Sequence, residues 1–281
     1  MTETENAPRG IPFYKMSGAG NDFVLIDNRE GIVSEENLPQ WIERVCTRRL
    51  SVGADGLILI ENSEWANFSW RFFNRDGGEA EMCGNGARCA ARFAFLNFIA
   101  GRYMSFETLT GIVNSEIIGR RVRVKLSDPE PPRGDHSVEL ASGPVQCFSI
   151  NTGVPHTVLR VDDLEAADVV GVGREIRNHP DFAPVGTNVN FVVDGADGEI
   201  HMRTYERGVE DETLACGTGA VAVALAAAAQ GATSPVTVRT RSGARLQVHF
   251  VREAARFIDI HLEGEARVIY TGTLHKEAVH W

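Results

Sequence analysis

One segment is written twice in this chain of 281 residues, and that repetition limits the fold more than any other feature. The first copy reads Arg71-Phe-Phe-Asn74-Arg75-Asp-Gly, then Glu81-Met-Cys83-Gly84-Asn85-Gly86-Ala87, then an apolar run. The second reads Arg203-Thr-Tyr-Glu206-Arg207-Gly, then Leu214-Ala-Cys216-Gly217-Thr218-Gly219-Ala220, then another apolar run. Cys83 follows Asn74 by 9 residues and Cys216 follows Glu206 by 10. An Asn ahead of an apolar strand also recurs, in Gly20-Asn21-Asp22-Phe23-Val24 and Thr187-Asn188-Val189-Asn190-Phe191. Several motifs kept in one order imply a duplicated unit of strand, turn, Cys-Gly-X-Gly and helix, with a cysteine at a matching place in each half.

Between these motifs the pattern is one of short β-branched and aromatic runs with few helices. Phe23–Asp27, Gly56–Glu61, Ser69–Phe73, Val122–Leu126, Asn190–Val193, Ile200–Tyr205, Val236–Thr240, Leu246–Phe250 and Phe257–Leu262 read as strands. Leu38–Arg48, Gly86–Ala100 and Gly219–Gln230 read as helices, and Ser242-Gly243 as a hairpin turn. Pro129-Glu-Pro131-Pro132-Arg-Gly-Asp135 cannot join a sheet interior and marks a seam between the halves.

A net charge of −10 disfavours nucleic acid and anionic membranes as partners. Residues 1–10 contain no apolar secretion signal, and the apolar stretch Ala220–Ala229 is too short to span a bilayer, so the expected compartment is the cytoplasm. Disulfides are rare there, and five cysteines are an odd number, so the thiols need another explanation.

Cys-Gly-X-Gly at a helix start offers one. The first N–H groups of a helix are unpaired and carry partial positive charge, which favours a thiolate and can cradle a carboxylate. Two such turns closing on one amino acid would place a thiol on each face of its α-carbon. One sulfur would take the α-proton and the other would return a proton, with no metal or organic cofactor. Cys46, Cys89 and Cys147 read instead as small buried hydrophobes. No two cysteines have zinc-site spacing, and Gly18-Ala-Gly20 precedes a strand, unlike a dinucleotide fingerprint. A Cys–His hydrolase with His156 as base would leave the second Cys-Gly-X-Gly turn without a purpose.

Taken together, Lys15-Met-Ser-Gly-Ala-Gly-Asn21-Asp22-Phe23, Gly53-Ala-Asp55-Gly56, Phe73-Asn74-Arg75-Asp76-Gly77, Met82–Cys89, Tyr205-Glu206-Arg207-Gly208 and Ala215–Ala220 resemble the diaminopimelate epimerase family, from about Phe13 onward. The layout is more distantly similar to proline racemases and phenazine-biosynthesis isomerases. The resemblance implies an α/β fold of the α+β type, with two similar pseudo-twofold domains. Each is a curved, mostly antiparallel sheet wrapped around a central helix. The boundaries expected are 11–127 plus 268–281 for the half with Cys83, and 128–267 for the half with Cys216. The final strand returns to the first half.

The resemblance also implies cofactor-independent conversion of LL- to meso-diaminopimelate for lysine biosynthesis. Cys83 and Cys216 would be base and acid. Asn21, Asn74, Asn188, Glu206 and Arg207 would grip the substrate, and Gly84, Asn85, Gly217 and Thr218 would hold its reacting carboxylate. His156 would lie near the site. Two positions depart from the family pattern: Val154 replaces Asn in Gly-Asn-Pro-His, and Gly56 stands where some members carry Gln. Competing readings are a racemase of another small amino acid and a non-catalytic amino-acid-binding protein. Exposed strand edges in such a fold would allow two copies to pair as a homodimer.

Overall fold

The computed structural model describes residues 10–254 and 256–281. Its packing divides the chain into two compact units, one running to Arg120 and resuming at Ala266–Trp281, the other spanning Arg121–Glu265.

The first unit opens with an antiparallel pair, β1 (Ile11–Gly18) and β2 (Asn21–Asp27). Helix α1 (Leu38–Cys46) crosses over to β3 (Gly56–Glu61), which lies parallel to β2. Strand β4 (Phe68–Asn74) returns against β3, and a short β5 (Glu79–Ala80) against β4. The chain then enters α2 (Gly84–Leu96), followed by β6 (Tyr103–Thr108), parallel to β4, and β7 (Gly111–Ile118), antiparallel to β6. Leu38, Ile42, Val45 and Cys46 form the buried stripe of α1 at helical spacing. Phe23–Ile26 and Leu57–Ile60 are buried at every position, since α2 packs against both strands and α1 against β3. Helices on both faces require unbroken apolar runs, which these strands supply.

The second unit begins with β8 (Arg121–Lys125) and the hairpin of β9 (Gly134–Leu140) and β10 (Gly143–Asn151). From there the pairing pattern of the first unit repeats. Strand β11 (Pro155–Arg160) is antiparallel to β10, and α3 (Val169–Arg177) crosses to β12 (Asn188–Asp194), parallel to β11. Strands β13 (Ile200–Glu206) and β14 (Asp211–Thr213) fold back in turn before α4 (Gly217–Ala229). Strand β15 (Val236–Arg239) runs parallel to β13, and β16 (Arg245–Glu253) pairs with β15. Strand β17 (Arg256–Glu265) joins β16 to β8, which draws residues 121–125 into this unit ahead of the proline-rich run. The last strand, β18 (Arg267–Leu274), pairs with β1 and so completes the first sheet.

Helices α2 and α4 are both 13 residues long, and each is wrapped by the strands of its own unit. From Gly219 to Ala228 α4 is buried all round, as a helix of alanine, valine and leucine must be. Its small side chains let strands approach closely on every side.

This topology corrects one sequence equivalence. The Asn-led runs at Asn21 and Asn188 open β2 and β12, but the pairing pattern matches β2 to β11 and β3 to β12. His156 pairs with Asn188 as Phe23 pairs with Gly56, so Gly56 occupies the place that Asn188 holds in the other unit. Local pattern matched two strand starts, whereas the crossover helices set which strands correspond. The two main helices also begin two residues earlier than expected, because their Cys residues are the N-caps.

Candidate active site

In the first unit Cys83 stands at the N-cap of α2 in an extended conformation, and its Sγ accepts the Gly86 N–H at 3.4 Å. An N–H donated to sulfur at the positive end of a helix stabilises charge on that sulfur. Asn85, buried in the first turn, donates from Nδ2 to Asn21 Oδ1 at 2.6 Å. Its own Oδ1 accepts from Arg88 Nη2 at 2.6 Å, and Arg88 Nη1 donates to the Gly84 carbonyl at 3.1 Å. Asn21 in turn donates to Asp55 Oδ2 at 3.1 Å. Asp22 sits beside this pair, bound by buried Lys15 at 2.9 Å and by Arg48, which also reaches Asp55. Burial works against the Asp22 charge, but hydrogen bonds from Arg48 and Lys15 outweigh it and hold the carboxyl below its ordinary range. Asn74 ends β4 on the exposed surface.

In the second unit Cys216 is the N-cap of α4, and its Sγ lies 3.5 Å from Thr218 Oγ1. Behind Thr218 is a chain of buried polar groups. Asn190 Nδ2 donates to the Thr157 carbonyl at 3.1 Å and to His156 Nδ1 at 3.2 Å. A carbonyl only accepts, so that end of the Asn190 amide is its nitrogen, and His156 Nδ1 must accept. The ring proton therefore sits on Nε2, which donates to Thr218 Oγ1 at 2.9 Å and leaves the hydroxyl hydrogen for sulfur. His156 is 1% exposed, and burial, helped by the charge of Arg207, pushes its pKa down to about 3. It is a neutral imidazole with a fixed tautomer, unsuited to act as a base near neutral pH.

Asn188 uses both ends of its amide, donating to the Pro155 carbonyl at 3.2 Å and accepting the Arg207 N–H at 2.8 Å. It thus sets the backbone at Glu206-Arg207. Burial raises the Glu206 carboxyl above its ordinary value, and the Arg207 guanidinium reaches the Val185 carbonyl at 3.2 Å. The other three cysteines are buried, and burial pushes Cys46 and Cys89 up to about 12 and Cys147 to about 11.

Within the first unit the hydrogen bonds thus join Asn21, Gly84 and Asn85 at the start of the Cys83 helix, and within the second they join His156 and Thr218 to Cys216, with Asn188 fixing residue 207. Asp55, Arg88 and Asn190, which make these networks, stand inside motifs read from sequence but without a role assigned there. A charge or amide inside an apolar run, as in Ala87-Arg88-Cys89 and Val189-Asn190-Phe191, was the available signal. Among the described residues Asp197, Glu199 and His201 could share a cation, but they lie at a surface hairpin and Arg245 already pairs with both carboxylates.

The family model described as diaminopimelate epimerase matches residues 13–130 and 148–268. A diaminopimelate epimerase from Aquifex aeolicus is 43% identical, over 96% of this chain and 100% of its own length. Among solved structures, a phenazine biosynthesis protein of the PhzF family from Bacillus anthracis superposes with a TM-score of 0.72 at 15% identity, covering 95% of this chain and 99% of its own. A hydroxyproline epimerase from Agrobacterium vitis superposes at 0.68 with 13% identity, covering 97% and 94%. These structural likenesses concern the fold.

Proposed function

We infer the reaction from one premise: this chain belongs to the diaminopimelate epimerase family and is an isomerase. It inverts one α-carbon of diaminopimelate, converting the LL to the meso isomer in lysine biosynthesis, through two cysteines and without a cofactor. The observation that carries the reading is the duplication, in which each unit leads the same succession of paired strands into a cysteine N-cap of a 13-residue helix.

In the reaction one sulfur, as thiolate, takes the α-proton while the other, as thiol, delivers a proton to the opposite face. After the turnover the two have exchanged protonation states. The electron pair left on the α-carbon is delocalised into the substrate carboxylate. That carboxylate is held by the N–H groups of Gly84, Asn85, Gly217 and Thr218 at the helix ends, the arrangement that stabilises developing negative charge best. Acid–base transfer contributes about 10²–10⁴-fold, so orientation and electrostatics supply the rest. Asn21, Asn74, Asn188, Glu206 and Arg207 bind the substrate, with guanidinium to distal carboxylate and carboxylate to distal ammonium. Neutral His156 acts through the Thr218 hydroxyl.

The reduced protein incubated with LL-diaminopimelate in deuterated water tests this. Meso product carrying solvent deuterium, lost in Cys83→Ser and in Cys216→Ser, is expected. Exchange with another amino acid alone would reassign the substrate, and binding without any exchange would leave a non-catalytic protein. The chain is taken to work in the cytoplasm, and among the described residues no helix is long and apolar enough to cross a membrane. Among the described residues strand β18 pairs only with β1, and it exposes Ile269 and Tyr270, which suits pairing of two copies; sedimentation of the pure protein checks for a dimer.

A further inference from the structure

Arg88 is 0% exposed, yet among the described residues no carboxylate pairs with it. Its two terminal nitrogens reach the Gly84 carbonyl and Asn85 Oδ1, both neutral, and its Nε has no hydrogen-bond partner among the described residues. Burial pushes its pKa down, but a guanidinium starts so far above neutrality that it keeps its charge. A desolvated cation held only by neutral acceptors is costly, and such a charge calls for an anion nearby.

The charged groups on elements packed against α2 are already engaged. Lys15 and Asp22 pair with each other, Asp27 with Arg29, Glu61 with Asn28 and Glu116 with Arg102. Arg92, on α2 itself, donates to the Ala266 carbonyl. The Arg88 guanidinium folds back on Gly84 and Asn85, the first turn of α2, whose Gly86 N–H is donated to Cys83 Sγ; the thiols at this end of the helix are those of Cys83 and, next in sequence to Arg88, Cys89. Cys89, pushed up to about 12 by burial, stays protonated. Cys83 remains. The second unit differs at this point: counting five residues from each cysteine, α4 has Val221 where α2 has Arg88. Its sulfur faces a hydroxyl backed by a neutral imidazole.

We propose that Arg88 is the counter-charge of a Cys83 thiolate, so that in the ligand-free enzyme Cys83 is the base and Cys216 carries the proton. Arg88 is a positioning residue, acting through the α2 N-terminus rather than on the substrate. The inference rests on the two-cysteine reading above and makes the resting enzyme asymmetric. Cys83 gives its proton to solvent, so the isomer that presents its α-hydrogen to Cys83 reacts at once. The opposite isomer must wait until Cys83 has taken up a proton and Cys216 has lost one.

The test is alkylation of the ligand-free protein by iodoacetamide over a pH series, with the rate at each cysteine followed by peptide mass spectrometry. The pH midpoint, not the absolute rate, is compared, because the two sulfurs differ in exposure. Cys83 is expected to show the lower midpoint. Arg88→Met should raise it and slow Cys83 alkylation near neutrality by about tenfold or more, the usual effect of losing a close opposite charge. Arg88→Lys should restore part of the shift, and the Cys216 midpoint should not move. An unchanged Cys83 midpoint in Arg88→Met, or a lower midpoint at Cys216 in the unmutated protein, overturns the proposal. The second comparison holds even if Arg88→Met does not fold. No substrate is used, so failed epimerisation with the expected midpoints would reject the reaction and leave the charge assignment standing.

Discussion

Gly86 and Gly219 hold the same place, third residue of α2 and of α4, yet alanine should be tolerated at one and not at the other. At Gly219 an added Cβ would lie 2.6 Å from Asn190 Oδ1 and 3.3 Å from Cys216 Sγ. The first contact is roughly 0.7 Å inside the ~3.3 Å of a close C···O approach. Asn190 cannot swing aside cheaply, since Thr204, Thr157 and His156 all hydrogen-bond to it. Giving up two or three such bonds at about 1 kcal/mol each costs ~2–3 kcal/mol. If the helix end moves instead, Cys216 moves with it, and a displacement of about 1 Å at a reacting group costs on the order of 10²-fold in rate. At Gly86 the nearest atoms would be Ile58 Cδ1 at 3.3 Å and Trp70 Cζ3 at 3.4 Å. An isoleucine tip yields, and alanine in a helix gains up to ~1 kcal/mol over glycine. Urea unfolding and α-deuterium exchange of both variants provide the assay. Gly219→Ala should lose stability and activity while Gly86→Ala keeps both. Equal behaviour of the two would refute the close packing of Asn190 on α4 as the cause.

Thr218→Val should strand the His156 Nε2 donor and remove the hydroxyl beside Cys216, costing about 1–3 kcal/mol in denaturant unfolding and lowering kcat, whereas Thr218→Ser retains both functions. His156, buried neutral with its pKa near 3, binds a proton more readily in the unfolded chain, so its contribution to stability is present above the ordinary histidine pKa and is lost as pH falls from about 6.5 towards 3. His156→Gln should flatten the dependence of unfolding free energy on pH in that window. Gly56→Ala should destabilise by roughly 1–3 kcal/mol, because its Cβ would meet the Phe73 carbonyl at 2.5 Å and the Phe72 ring at 2.8 Å. Calorimetry of Gly56→Ala alone and combined with Phe72→Leu checks this, and a neutral single variant would show that the strand relaxes freely.

The matching places of Cys83 and Cys216, each at the start of a main helix, were legible because duplication sets these two apart from the other three cysteines. Strands buried on both faces, such as β3, were legible at their full length from unbroken apolar runs. Others were hidden by their surroundings. Strand β9 buries only Val138 and Leu140, and its remaining residues are polar or half-exposed, so period two barely shows. Helix α3 contains two glycines and three valines, poor helix formers by propensity. Asp168 caps it at Gly171 N–H, 2.8 Å, and Gly173 lets it press onto Tyr205, where a Cβ would come within 2.5 Å. Tertiary packing overrode local preference. Arg88 and Asn190 were visible as residues but not as parts, because their role depends on which groups surround them after the chain has folded.

Strand β18 has a bearing on how the molecule is made. Its partner β1 lies at the other end of the sequence, and the second unit is spliced between them. During synthesis the sheet around the Cys83 helix therefore stays one strand short until the whole inserted unit has left the ribosome. The Ala266 N–H bonds to the Arg120 carbonyl at 3.2 Å, so the two ends of that excursion meet. The inserted unit can thus complete its own hydrogen bonding as a closed loop, while its host waits for β18 to arrive.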